Sequence, residues 1–496
     1  CRHSGSLIGG DLGAHHVAFQ TGISDRDWLD PAAGSCLVRQ KHQDHKGWGT
    51  TMIDMSPEVA TTVMLVAVFI AVLSGFPLAF SVGGFALIIG LLAWGTRIFP
   101  SFYMAMFGVA SNYTFLAAPL FIFMGMMMGR SGVADKLFGT LYVWMGGLRG
   151  GLAIATILLG VAIAASVGVM GASVSMLGLI ALPAMLERGY DKPLACGSVC
   201  AGGTLGILIP PSIMLVIYGP TASISVGKLF MAAFLPGFLL AALYIAYIAG
   251  RAFLQKELAP SLPHSERNVP LGKKLYLLVT TTFPILFVIV AVLGSIFFGI
   301  AAPTEAAAIG ALASILLTLV YRKLNYAVLK DTMLGTLRIS AYVLFFAAAA
   351  FAFTGVFLGL GCGKVVANII LSAPLGKWGA FMTIMIIVFI LGVFVDWMGI
   401  IFIIVPIITP IASQLGLDAL WFAMMIIVNL QMSFLSPPLA YSIFYLKGVT
   451  TPEQGIETQH IIRGVLPYIV LIALGLALCV AFPEIITWLP DQMIRR

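Results

Sequence analysis

Apolar runs begin near Val59 and continue to the end of the chain, punctuated by Gly, Pro and short charged turns. The runs 59–73 and 77–95 read as two spans divided by Gly75-Phe76-Pro77. Runs 276–299 and 303–321 read as two more. The last three have about the 20 residues that a helix needs to cross a bilayer, and the first is shorter. Other apolar segments are broken inside. Segment 194–219 is interrupted at Pro210-Pro211 and segment 418–447 at Pro437-Pro438. A proline pair removes two backbone donors and forces an unwound stretch. In a membrane such a stretch must lie within protein or line a cavity.

The two breaks are related. A shift of 227 residues carries Pro210 and Pro211 onto Pro437 and Pro438. The same shift carries Pro183 onto Pro410, Gly189 onto Gly416, Asp191 onto Asp418 and Tyr218 onto Tyr445. A gap-free offset through these features predicts an internal duplication, with repeat 1 over 106–250 and repeat 2 over 333–462. Upstream of each break lies an apolar stretch with an irregular middle, 150–186 and 378–414, each predicted as a re-entrant hairpin whose tip meets the break of its own repeat. The remaining divisions are first scaffold helices over 55–105, a loop over 251–275, connecting helices over 276–332 and a C-terminal helix over 463–496. Paired interrupted segments in two halves of a membrane protein point to a transporter binding site.

Residues 1–54 differ from the rest. They hold five of the seven His and 11 of the 47 charged residues, leaving 36 charges over 442 residues. The segment has no apolar signal-peptide core and no recognisable metal-ligand spacing. It is expected to be a disordered or non-native extension, with the functional protein starting near Met52 or Met55.

Composition agrees with the pattern. Sixty per cent of residues are apolar and 9% charged, against about 25% charged in soluble domains, which excludes a water-soluble enzyme. The net charge of +7 does not indicate nucleic-acid binding, because the basic residues sit in loops between apolar runs. Arg251, Lys256, Arg267, Lys273 and Lys274 share one loop; Arg322, Lys323 and Lys330 share the next. Two spans separate these loops, so both fall on one side, the cytoplasmic side by the positive-inside rule. The six cysteines form no CxxC pair. Only His264 and His460 lie beyond the N-terminal segment, and there is no HExxH, no DxxD within the apolar runs and no P-loop. A membrane-embedded enzyme and an ATP-driven pump are thereby disfavoured, and a channel usually builds its pore from oligomeric rather than internal symmetry.

Candidate ligands cluster at the irregular points. Sodium site 1 is assigned to Ser166, Gly168, Gly171 and Ser173 of the first hairpin with Gly203 and Thr204 before the first break. Sodium site 2 is assigned to Asp396 and Gly399 of the second hairpin with Asn429, Gln431 and Ser433 before the second break. Glycines let carbonyls turn inward, and polar groups within a membrane face an interior or a cavity. Thr204, Ser212 and Ser436 are assigned to substrate binding beside half-helix N-termini, whose N–H groups favour an anion. Glu305 reads as a helix start. Gly355, Gly359 and Gly363 read as a close-packing stripe.

From about Met55 the chain resembles the large permease subunit of tripartite ATP-independent periplasmic (TRAP) transporters. The resemblance rests on AAPLFIFMG (117–125), LPAMLERGYDK (182–192), GGTLGILIPPSIMLVIYG (202–219), FMAAFLPG (230–237), PTEAAAIGA (303–311) and SFLSPPLAYSIFYLKG (433–448). It implies an all-α polytopic protein of the bacterial inner membrane, built from inverted repeats and working as an elevator. It further implies Na⁺ as the coupling ion with no other cofactor, a small membrane subunit, a soluble periplasmic binding protein and a small organic anion as substrate. The closest different expectation is a Na⁺-coupled carboxylate carrier that needs no binding protein. Many members have a Ser-Gly-Ser-Ser tip in the first hairpin, where this chain has Val167-Gly168-Val169-Met170.

Overall fold

The computed structural model describes residues 55–261, 263, 269–438 and 440–493. The expectation for residues 1–54 lies outside the described residues. What is described is all helical, and among the described residues ten helices are long and apolar enough to cross a membrane. The chain is a multi-pass membrane protein.

The first helices are α1 (Pro57–Leu73), α2 (Leu78–Trp94), α3 (Ile98–Ser111), α4 (Ala117–Arg130) and α5 (Val133–Met145). The first repeat then supplies a helix pair, α6 (Gly151–Val167) and α7 (Met170–Glu187), followed by α8 (Lys192–Thr204), α9 (Ile213–Ala222) and α10 (Val226–Leu254). Next come α11 (Leu271–Phe297), α12 (Pro303–Val320) and the long α13 (Tyr326–Gly359). The second half continues with α14 (Cys362–Leu371), the pair α15 (Gly376–Phe394) and α16 (Trp397–Gln414), then α17 (Ala419–Leu435), α18 (Tyr441–Val449), α19 (Thr458–Ala481) and α20 (Glu484–Asp491).

The 227-residue offset reappears in the helix limits. α7 and α16 start at Met170 and Trp397 and end at Glu187 and Gln414; α8 and α17 start at Lys192 and Ala419. Their caps correspond as well. Asp191 accepts the Leu194 N–H at 3.1 Å, and Asp418 accepts the Trp421 N–H at 2.8 Å. Each carboxylate satisfies a backbone donor that the first helical turn leaves open.

The two halves run in opposite directions. α8 lies along the start of α19, where a Cβ on Gly197 would collide with the Gly464 carbonyl. α17 begins at the far end of α19, where the Trp421 indole donates to the Cys479 carbonyl at 3.1 Å. The base of the α6–α7 pair is tied to the basic loop: the Gly150 and Asp191 N–H groups donate to the Ala259 and Leu258 carbonyls. Ser198 donates to the Leu194 carbonyl at 2.7 Å and receives the Tyr468 hydroxyl at 2.9 Å, a buried polar lock between α8 and α19.

Small residues set the closest crossings. A Cβ on Gly160 would lie 2.6 Å from the Gly202 carbonyl oxygen, and one on Gly203 would lie 2.8 Å from the Val174 Cα. The glycine stripe of Gly355, Gly359 and Gly363 packs closely at its last two positions only, with Leu358 against Gly363 at the start of α14. Trp94 packs on Gly359, but nothing approaches a Cβ position on Gly355 within 4 Å, because that residue faces outward. Phe402, in a widened turn of α16, packs among Phe115, Phe346 and Phe351 at ring separations of 5.8–6.4 Å and seats α16 against α13. Glu305 accepts the Ala302 N–H at 2.8 Å and closes the start of α12.

Candidate functional site

In the first half, α6 and α7 are separated only by Gly168 and Val169. Gly168 has φ +65°, a left-handed conformation that favours glycine, and a Cβ there would lie 2.9 Å from the Pro211 carbonyl oxygen. The α6–α7 corner therefore sits directly on the Pro210-Pro211 turn. α8 ends at Thr204, tightens through Leu205–Ile207, and the helix resumes at Ile213. Ser173 is buried, donates to the Val169 carbonyl at 3.0 Å, and lies against Gly206. Thr204 donates to the Ala201 carbonyl at 2.9 Å, and Ser212 donates to the Ile207 carbonyl. These three hydroxyl protons are engaged by backbone, so what they offer inward is an oxygen lone pair. That suits a cation better than the anionic substrate to which Thr204 and Ser212 were assigned. Gly203 serves the crossing with Val174, and the Ser166 side chain lies outside the described residues.

In the second half, Asp396 is the N-cap residue of α16, with no side-chain cap hydrogen bond to the helix start. Gly399 packs against Val395 and Leu78. Asn429 and Ser433 tie α17 to α15, donating to the Met385 and Phe389 carbonyls at 2.7 and 3.1 Å. Ser436 donates to the Met432 carbonyl at 2.9 Å, beside Pro437-Pro438. Gln431 differs from these. It is fully buried, and neither its Oε1 nor its Nε2 has a hydrogen-bond partner; the Asn429 Oδ1 is also unpartnered. Buried polar atoms are almost always bonded, so these three atoms require an explanation.

The two halves meet. The Tyr445 ring lies flush on Gly171, where a Cβ would come within 2.8 Å of it. Cys200 of α8 contacts the Ser442 carbonyl at 3.7 Å, while Ser442 donates back to Phe434 at 2.9 Å. Tyr342, Tyr441 and Tyr445 all lie within electrostatic reach of Asp396. These tyrosines are the site residues that sequence reasoning left out. The signal available was the pairing of Tyr218 with Tyr445. In the structure Tyr218 is fully buried whereas Tyr445 is 42% exposed.

Charge is sparse. Between Gly151 and Leu186, and between Pro193 and Ala222, there is no charged residue, and from 378 to 446 there are only Asp396 and Asp418. No arginine or lysine in these segments can receive an anion. The starts of α9 and α18 carry no side-chain cap, so their first N–H groups and positive dipole ends face the breaks directly.

The profile of the tripartite ATP-independent periplasmic transporter DctM component matches residues 63–485. The chain is similar to the C4-dicarboxylate TRAP transporter large permease protein DctM of Pseudomonas aeruginosa, 32% identical over 78% of this chain and 88% of that protein. It is similar to the isethionate TRAP transporter permease protein DctMQ of Oleidesulfovibrio alaskensis, 31% identical over 84% of this chain and 64% of that one. Among solved structures, the YdaH transporter of Alcanivorax borkumensis shares the fold, with a TM-score of 0.59 at 15% identity over 87% of this chain and 99% of that one. The relatives are transport permeases rather than enzymes, and the chain belongs to the TRAP transporter family as a large permease subunit.

Proposed function

We propose that this permease is the large subunit of a Na⁺-coupled secondary importer of a small organic acid in the bacterial inner membrane. In this reading it works with a small membrane subunit and a periplasmic binding protein. Two Na⁺ sites lie where each helix pair meets its broken helix. The first draws on lone pairs and carbonyls around Gly168, Gly171, Ser173, Gly203 and Thr204, with Ser166 of the same corner. The second draws on Asp396, Gly399, Asn429, Gln431 and Ser433. The acid sits between them at the uncapped starts of α9 and α18, with the Thr204, Ser212 and Ser436 oxygens turned to the ions that flank it.

The observation that carries the reading is the pairing of unpartnered acceptors with uncapped helix starts in a region without basic side chains. An anion there has backbone dipoles but no fixed cation, so bound Na⁺ supplies the missing positive charge. By linkage, each ion then raises affinity for the acid and the acid raises affinity for the ion. Gly168 against Pro211, and Tyr445 against Gly171, make the corners and breaks one packed block. Such a block suits movement as a unit, the elevator motion implied by the family. The two relatives' names both specify small acids, a dicarboxylate and a sulfonate.

The test is uptake in proteoliposomes containing this chain and its small subunit, with a binding protein outside. Labelled dicarboxylate, 2-oxo acid and isethionate are offered with and without an inward Na⁺ gradient. Uptake requiring both the gradient and the binding protein is expected. Uptake undiminished without Na⁺ would refute the coupling. Na⁺-driven uptake without any binding protein would refute the tripartite assignment and identify a free-standing carrier.

A further inference from the structure

At the end of the molecule that carries the basic loops, α5, α11 and the end of α12 enclose a groove of about 600 Å³ that the transport site does not use. Its walls are two-sided in chemistry. Leu277, Pro284 and Val320 form an apolar part, and Thr140, Thr280, Thr281 and Tyr321 a polar part; Thr281 donates to Thr140 at 3.1 Å. At the rim, the Lys136 ammonium stands 4.0 Å above the centre of the Tyr321 ring, held there by the ring's negative face. Arg322 and Lys323 follow Tyr321 in the turn, both exposed, and the Lys323 stem lies beside Gly132 at the start of α5. The neighbouring acids do not cancel this charge. Asp135 lines a different cavity with Gly129 and Met176, and Asp331 is paired with Arg130 at 2.9 Å. Beyond the groove the outward face of α11 is apolar and exposed through Leu275, Val279 and Phe283.

We propose that this groove holds one anionic phospholipid, its phosphate at Lys136, Arg322 and Lys323 and its acyl chains along α11. Charge complementarity selects the occupant. A cationic rim above an apolar wall fits a lipid with a net negative head, and basic pockets between transmembrane helices on the cytoplasmic side bind such heads. A zwitterionic lipid would fill the apolar part without neutralising the rim.

The test is native mass spectrometry of the intact purified chain with phosphatidylglycerol and phosphatidylcholine of identical acyl chains. The first adduct is expected to favour phosphatidylglycerol, and Lys136→Gln to weaken that preference about fivefold, the effect of one basic residue near an anionic head. The double variant Arg322→Gln/Lys323→Gln is expected to weaken it further. Lys364→Gln, at the start of α14 and outside the groove, should leave it unchanged. Equal binding of the two lipids, or an equal loss in Lys364→Gln, would overturn the proposal. A photo-crosslinking residue at position 321 in whole membranes is expected to capture lipid; capture of a second protein would overturn it instead.

Discussion

Gln431 gives the sharpest test of the second ion site. Its amide is fully buried and both polar atoms lack a hydrogen-bond partner. An unsatisfied buried polar group costs about 1–3 kcal/mol. Gln431→Met keeps roughly the same volume and removes that cost, so the variant is expected to be more stable than the parent without Na⁺ by about 1–3 kcal/mol. With Na⁺ the order should change. A ligand at one hundred times its dissociation constant stabilises the folded state by about 2.7 kcal/mol, and an ion site that has lost an oxygen ligand forfeits most of that gain. Thermal unfolding of purified protein in matched NaCl and KCl reads both quantities. The expected pattern is a higher midpoint in KCl and a smaller Na⁺ increment. A lower midpoint in KCl would show that Gln431 is satisfied and structural. An undiminished Na⁺ increment would remove it from the ion site.

Three further predictions follow from packing. Gly203→Ala places a methyl within 2.8 Å of the Val174 backbone and should destabilise by about 1–3 kcal/mol or more, the usual cost of overpacking, whereas Gly355→Ala, with open space around it, should be neutral or stabilising by up to about 1 kcal/mol; unfolding midpoints compare the pair. Tyr468→Phe breaks the buried bond to Ser198 and should cost roughly 0.6–2 kcal/mol, the range for hydrogen bonds between membrane helices, while leaving the Na⁺ increment intact; a lost increment would mean that the α8–α19 lock reaches the ion sites. Tyr445→Val removes the ring that covers Gly171. It should change which acids compete in the uptake assay, with Tyr445→Phe altering only acids that bond its hydroxyl; unchanged competition by both variants would separate Tyr445 from substrate recognition.

The sequence by itself determined the class, because so many apolar residues and so few charges leave no way to cover the chain in water. It also determined the repeat. Proline and glycine act through local backbone geometry, so Pro210-Pro211, Pro437-Pro438, Gly189 and Gly416 mark the same points in sequence and in space. The same offset paired Asp191 with Asp418, and the structure adds that each caps the helix that follows it. The tertiary structure decided everything that depends on what stands opposite. Gly203 and Gly355 are the same residue in apolar helices, yet one is filled by Val174 and the other faces open space. Ser173, Thr204 and Ser212 have the composition of ligands, but their protons are committed to nearby carbonyls. Asn429 and Gln431 are two polar residues on one helix; only the position of α15 bonds the first and leaves the second unpartnered. Tyr342, Tyr441 and Tyr445 come from helices about one hundred residues apart in sequence. They gather near Asp396 because α13, α16 and α18 of the second half fold back on one another, and no spacing along the chain encodes that meeting.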